Sequence, residues 1–426
     1  MRPTRRGLLG AMSAGLGGAV AARLLGAGVL AGMPPRRARA AAADRKFLFL
    51  FCNGGWDTSR VFTPMDRVPN AELEEARSLI DVGGFRIVDH PSRPLTRAFF
   101  ENHAGRTCVI NGIEVRSVAH ERSRRMLLAS ESGDDWPTLI AAASAETLTL
   151  PHLVLAGPSY VGRHADRVVR VGNDGQLVKL LDGEAQAASA RPIAPLPEGV
   201  EALADQFVAT RADSLAAGSH AGERTLGLAY RNALGSVAAL QEIEGLSLEA
   251  QEGVCSRDVS SDAVSALNCF QLGLSRTAML QYSGFCDESW DNHTNLDKQS
   301  LHFEELFVYL DGLLLELDSR GMQDEVTVVV LSEMGRHPML NNWGGKDHWT
   351  YTSAMLLGAG VAGGRMIGEL DESAMGRRVD PDLGLVDDAG EALLPEHLGA
   401  TLLALAGVDP LSLGVTAPPI GAALSG

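Results

Sequence analysis

The run DEVTVVVL, residues 324–331, passes without a spacer into SEMGRHPMLNNWGGKDHW, residues 332–349. That junction constrains the fold more than any other feature. An uninterrupted, β-branched apolar run of strand length reads as a strand buried on both faces, the habit of a parallel sheet covered by helices. Directly after it come Glu333, Arg336, His337, Asp347 and His348, with small and polar residues between them. Charged groups beside a core cost free energy unless water, a partner or a metal ion satisfies them.

The same junction recurs. KFLFLF (46–51) is a second continuous apolar run, and CNGGWDTS follows it with Asp57. TCVINGIEV (107–115) leads to SVAHERSRRMLL and His120, beside Glu121 and Arg122. TAMLQYSGF (277–285) leads to CDESWDNHTN, with Asp291 and His293. HLVLAG (152–157) and SAMLLGAG (353–360) read as further strands. Between the strands, residues 296–320 carry Phe303, Leu306, Phe307, Leu310, Leu313, Leu314 and Leu317 on one helical face, with Gly321 at its end. PEHLGATLLALAGV (395–408) opens with Pro and reads as a C-terminal helix. Residues 183–200 read as a linker and about 201–275 as a helical insertion. The expected fold is therefore α/β: a mostly parallel central sheet with helices on both faces. Such sheets bind ligands beyond the C-terminal ends of their strands.

Taken one at a time, these residues have plain readings. Asp57 caps a turn, His120 belongs to a basic helix, Asp291 caps a loop, and Glu333 pairs with Arg336. Their recurrence at one end of successive strands favours a shared site. Carboxylates and imidazoles gathered in one crevice need a counter-charge, and that donor set suits zinc, manganese or iron better than calcium. The expected cofactor is a divalent metal, zinc or manganese, as one or two ions. Two ions sharing the set would activate water and stabilise charge in hydrolysis. His90, His103, His152, His164, His220, His302 and His397 have no such company and read as structural; His337 stays open. Trp56, Trp290, Trp343 and Trp349 flank the proposed ligands, as packing or as a stacking surface for a sugar or aromatic group.

The first forty residues read as an export signal: paired Arg5 and Arg6, a weakly apolar Gly/Ala stretch broken by Arg23, and Ala38 to Ala40 as a cut point. The arginine pair points to the twin-arginine route, with its translocase as partner during export and a periplasmic or otherwise exported destination. No stable membrane span is expected from that stretch. Removing its seven arginines from a formal net charge of −16 leaves −23. That charge argues against nucleic acid and anionic membranes as partners. An anionic substrate remains compatible if a metal supplies local positive charge. The five cysteines contain no C-x-x-C pattern, so a structural zinc site of that kind is not expected. Cys255 and Cys269 are candidates for a pair that spacing cannot decide, and Cys52 and Cys108 read as packing residues.

In order along the chain, GGWD (54–57), WDNH (290–293), EMGRHP (333–338), GGKDHW (344–349) and GAGVAGGRMIG (358–368) resemble domain-of-unknown-function family 1501, a usually exported branch of the alkaline phosphatase and sulfatase clan. The resemblance implies an alkaline-phosphatase-like α/β fold, with metal at Asp57, Asp291, His293, Glu333 and His348. Two departures stand out. HERSRRML resembles the start of the sulfatase nucleophile helix, but His120 falls in the nucleophile's slot. The phosphatases' Asp-His pair after the late strand is here Glu333-Met334.

The expected activity is metal-dependent hydrolysis of a phosphate or sulfate ester, by metal-activated water or through His120. Arg336 would steady a non-bridging oxygen. Asp347 would orient His348 or bind metal itself. A small anionic ester or a glycan is the expected substrate. The alternative is a non-catalytic envelope protein that keeps the fold and binds a glycan or protein partner.

Overall fold

A computed structural model describes residues 41–65, 73–170, 198–241 and 259–425. The export signal, Cys255, most of the linker, and positions 242–258 of the helical insertion lie outside the described residues. The strands are β1 (Lys46–Cys52), β2 (Ser78–Val82), β3 (Phe85–Asp89), β4 (Thr107–Glu114), β5 (His152–Val154), β6 (Val168–Arg170), β7 (Thr277–Tyr282), β8 (Val326–Leu331), β9 (Gly335–Leu340), β10 (Lys346–Trp349), β11 (Tyr351–Gly358) and β12 (Arg365–Ile367). The helices are α1 (Pro94–His103), α2 (His120–Leu128), α3 (Trp136–Ala142), α4 (Glu198–Ala216), α5 (Ala221–Gln241), α6 (Val259–Gln271), α7 (Asp297–Arg320) and α8 (Pro395–Leu405).

Eight strands form one sheet in the order β12-β4-β11-β8-β1-β7-β5-β6. All its neighbours pair parallel except β11, which runs antiparallel to both β4 and β8. The fold is thus α/β with a mostly parallel sheet. The continuous apolar runs have a direct cause. Leu48, Leu50 and Cys52 of β1 face α1, α6 and α7, whereas Phe47, Phe49 and Phe51 face α2, α3 and α8. In β8, Val326, Val328 and Val330 go to the first layer, and Val329 and Leu331 to the second. Each such side chain contributes roughly 1.5–3 kcal/mol by burial. Gly321 ends α7 in the left-handed conformation, φ 69°.

The antiparallel direction of β11 matters for the site. Its first residue, Tyr351, pairs with Glu114 at the end of β4. The chain entering β11 therefore arrives at the same edge that β1, β4, β7 and β8 leave. The stretch before it is not an open loop: β9 and β10 form an antiparallel hairpin, with a register shift between Lys346 and His348. Cys269 is a free buried thiol, so it does not pair with Cys255, and Cys286 is disulfide-bonded. Cys52 and Cys108 are buried and free, and burial pushes the Cys108 thiol up to about 12.

Candidate metal centre

Asp291 is the hub of the strand-end cluster. It sits nine residues past β7, in a loop held against Gly54. Gly54 adopts φ +126°, and a Cβ there would lie 2.6 Å from the Asp291 backbone nitrogen, so the close approach requires glycine. Asp291 Oδ1 lies 2.9 Å from His293 Nε2 and 2.9 Å from His348 Nε2, and the two Nε2 atoms are 3.1 Å apart. Asp291 Oδ2 lies 3.2 Å from His120 Nε2. One ligand atom from each of His120, Asp291 and His348 falls within 4.8 Å of the others.

The second nitrogen of each ring fixes what the first can do. His348 Nδ1 is 2.7 Å from the Val118 carbonyl, which can only accept, so Nδ1 carries the proton. His293 Nδ1 is 3.2 Å from Asp347 Oδ1 and donates likewise. In the neutral rings both Nε2 lone pairs then converge on a carboxylate oxygen. Three acceptors facing one another at this spacing repel unless a cation lies among them. Their separations are those expected of ligands bonded at about 2.0–2.1 Å to one ion. Outer hydrogen bonds from a carbonyl and a carboxylate are the usual means of orienting metal-binding imidazoles. The donor set of Asp291, His293 and His348 fits a divalent metal. Burial opposes ionisation of Asp291, but the His120 N–H and the Arg336 guanidinium hold its carboxyl well below the usual carboxylate range.

His120, the first residue of α2, stands beside this triangle. Its Nε2 faces Asp291 and its Nδ1 is 2.9 Å from Glu333 Oε1. Two carboxylate partners require two N–H groups. Hydrogen bonds to Asp291 and then Glu333 raise its pKa to about 9, against partial burial. Held this way, the ring is a cation and a proton donor. Glu333 is fully buried and accepts from the Gly54 backbone N–H at 3.0 and 3.1 Å, besides its contact with His120. Glu333, expected as a metal ligand, is placed here on His120 and the Gly54 turn.

Three expected site residues have other surroundings. Asp57 bonds Lys346 Nζ at 2.7 Å and Ser59 Oγ at 2.6 Å rather than a histidine of the cluster. Arg336, expected to face a substrate oxygen, is instead 4% exposed. It donates to the carbonyls of Gly54, Gly55, Trp290 and Lys346 and to Asp291 Oδ1 at 2.6 Å, so its fork clasps the loops that carry the cluster. Asp347 orients His293 rather than His348 and is itself held by Asn341 at 3.0 Å.

Of the tryptophans, Trp56 and Trp290 are core residues packed on Phe303, and Trp343 is 71% exposed at the hairpin tip. His337 packs on Trp349. Lys346, Arg124 and Gln299 were not anticipated as site residues. Arg124 lies 3.6 Å from Glu333, and Gln299 joins the Asp57 and Trp290 backbones. The HERSRR stretch was a signal for Arg124; nothing local marks the other two.

A family model described as "Protein of unknown function (DUF1501)" matches residues 44–413. No curated protein matches the chain. Among solved structures, an alkaline phosphatase superfamily protein from Vibrio parahaemolyticus is similar at 8% identity and TM-score 0.35, over 86% of this chain and 67% of that one. A sulfatase from Pseudoalteromonas is similar at 10% identity and TM-score 0.36, over 86% and 68%. The lipoteichoic acid synthase LtaP from Listeria monocytogenes is similar at 8% identity and TM-score 0.37, over 86% and 73%. With TM-scores this low, none of these likenesses bears on the chemistry.

Proposed function

This chain belongs to the DUF1501 family, and from that premise we propose that it is an exported, metal-dependent hydrolase of phosphate or sulfate esters. The observation that carries the reading is the convergence of Asp291 Oδ1, His293 Nε2 and His348 Nε2, each Nε2 left with a free lone pair by its ring's other bond. Asp291, His293 and His348 would hold the ion. A divalent metal there supplies Lewis acidity toward an ester oxygen and lowers the pKa of bound water.

The chain's own residues supply the rest. His120 is held protonated between Asp291 and Glu333, and its longer bond, Nε2–H to Asp291 at 3.2 Å, is the one that would turn to a departing oxygen in need of a proton. In that state it is a donor and not a nucleophile. Glu333 holds its ring, and Arg336 fixes Asp291 against the Gly54 turn. Export rests on the twin-arginine pattern at Arg5 and Arg6. Among the described residues no helix is long and apolar enough to cross a membrane.

One observation favours the second reading, a non-catalytic envelope protein that binds a glycan or protein. His120 fills the slot where a hydroxyl or thiol nucleophile is expected, and the nearby Ser123 hydroxyl is fully buried. The two readings separate in one assay. Metal-loaded protein is incubated with chromogenic phosphate and sulfate esters. Turnover that falls at least about a hundredfold in His120→Ala supports the hydrolase, since a general acid contributes about that much or more. Full metal occupancy with no turnover across the panel sinks it.

A further inference from the structure

We propose that the buried ammonium of Lys346 stands in for a second metal ion, so that the chain holds a single divalent cation and Asp57 binds none. The inference rests on the reading of Asp291, His293 and His348 as a metal site, and it departs from the ligand set that the family resemblance implies.

Asp57 is 1% exposed and Lys346 2%. A carboxylate so deeply buried must be neutralised. Lys346 Nζ lies 2.7 Å from Asp57 Oδ2, and Arg60 Nε lies 3.6 Å from the same oxygen. Asp57 Oδ1 accepts from the Ser59 N–H at 3.2 Å and from Ser59 Oγ at 2.6 Å. Both oxygens are thus committed to protein donors. The lysine in turn reaches Ser59 Oγ at 3.2 Å, which fixes its head group on this side of the hairpin. A divalent ion at Asp57 would have to face that ammonium at close range, where like charges are poorly screened.

The hairpin accounts for the division of labour. Its register shift falls between Lys346 and His348, a type of irregularity that re-aims side chains. Lys346 serves Asp57 and His348 serves Asp291. Arg336 bridges the two halves, donating to the Lys346 carbonyl and to Asp291. One ion and one ammonium then share the strand-end carboxylates.

The test is a metal count by elemental analysis, with zinc and with manganese, on purified full-length protein, alongside Asp57→Asn and the paired variant Asp57→Asn/Lys346→Met. The paired variant removes both charges at once and guards against misfolding of the single one. One ion per chain in the wild type, kept with affinity changed less than about threefold in the variants, supports the proposal. Two ions in the wild type falling to one in the variants overturns it and leaves the histidine site standing. Loss of a single ion in the variants, while His293→Ala retains it, also overturns it. No ion in the metal-replete wild type overturns both this inference and the metal centre beneath it.

Discussion

At the residue scale, neighbouring side chains do different work, and each role has a measurable consequence. His348→Ala and His293→Ala each remove a lone pair aimed at the ion and are expected to abolish stoichiometric metal binding by calorimetric titration. Asp347→Asn leaves the ligands in place but weakens the bond that orients His293. It should cost about 10–100-fold in metal affinity, with the fold unchanged. Equal affinity in Asp347→Asn and wild type would show that His293 is held by packing alone. Arg336→Met removes the buried cation that clasps Asp291 and four backbone carbonyls, and is expected to destabilise by about 3 kcal/mol in urea unfolding. Most of these ligands were legible one by one as chemistry-bearing residues after apolar runs. Their partners were not. The Lys346–Asp57 pair spans most of the chain, and no local pattern marks a lysine as the mate of a distant carboxylate.

At the element scale, β1 and β8 were legible because burial on both faces leaves no polar alternation to obscure them. The hairpin of β9 and β10 was not: its glycines and charged residues resemble a loop. The reversed direction of β11 was equally invisible, since a buried strand has the same composition whichever way it runs. The hairpin's tip meets the site loop closely. A Cβ on Gly345 would lie 2.0 Å from the His293 carbonyl oxygen. Gly345→Ala is therefore expected to push the two loops apart, costing about 1–3 kcal/mol and lowering metal affinity in the same variant. Gly312 provides the opposite case. It lies within α7 with open space around its Cα, so Gly312→Ala should stabilise by about 0.5–1 kcal/mol and leave metal affinity untouched. Destabilisation there would mean that the helix face is more crowded than its surroundings indicate.

For the molecule as a whole, stability should fall in two stages on acidification. Burial lowers the pKa of His302 to about 4, against the pull of Glu288. The unfolded chain takes up that proton near pH 6.5, so the stability tied to neutral His302 is complete above this pH and is lost as pH falls toward 4. The loss amounts to roughly 3 kcal/mol. The carboxylates follow. Burial opposes ionisation of Asp57 and Glu74, but Lys346 and Arg60 in one case, and Arg93 and Arg60 in the other, hold both pKa values down. Their contribution is present above the unfolded carboxylate pKa of about 4 and disappears as pH falls through the lower folded values. Urea midpoints from pH 8 to 3 test the order. His302→Asn should shrink the first stage, to which His152, its pKa also lowered by burial, contributes, and keep the second. The layered α/β architecture itself was legible from the alternation of apolar runs and amphipathic stretches, because that alternation is what two helix layers on one sheet require.

The most direct test is anomalous diffraction at the metal edge, on crystals of the full chain grown with zinc or manganese. A single strong peak bonded to Asp291, His293 and His348, with none at Asp57, is the predicted result. A metal-replete crystal with no peak among those three side chains, or with its peak on Asp57, would contradict the account.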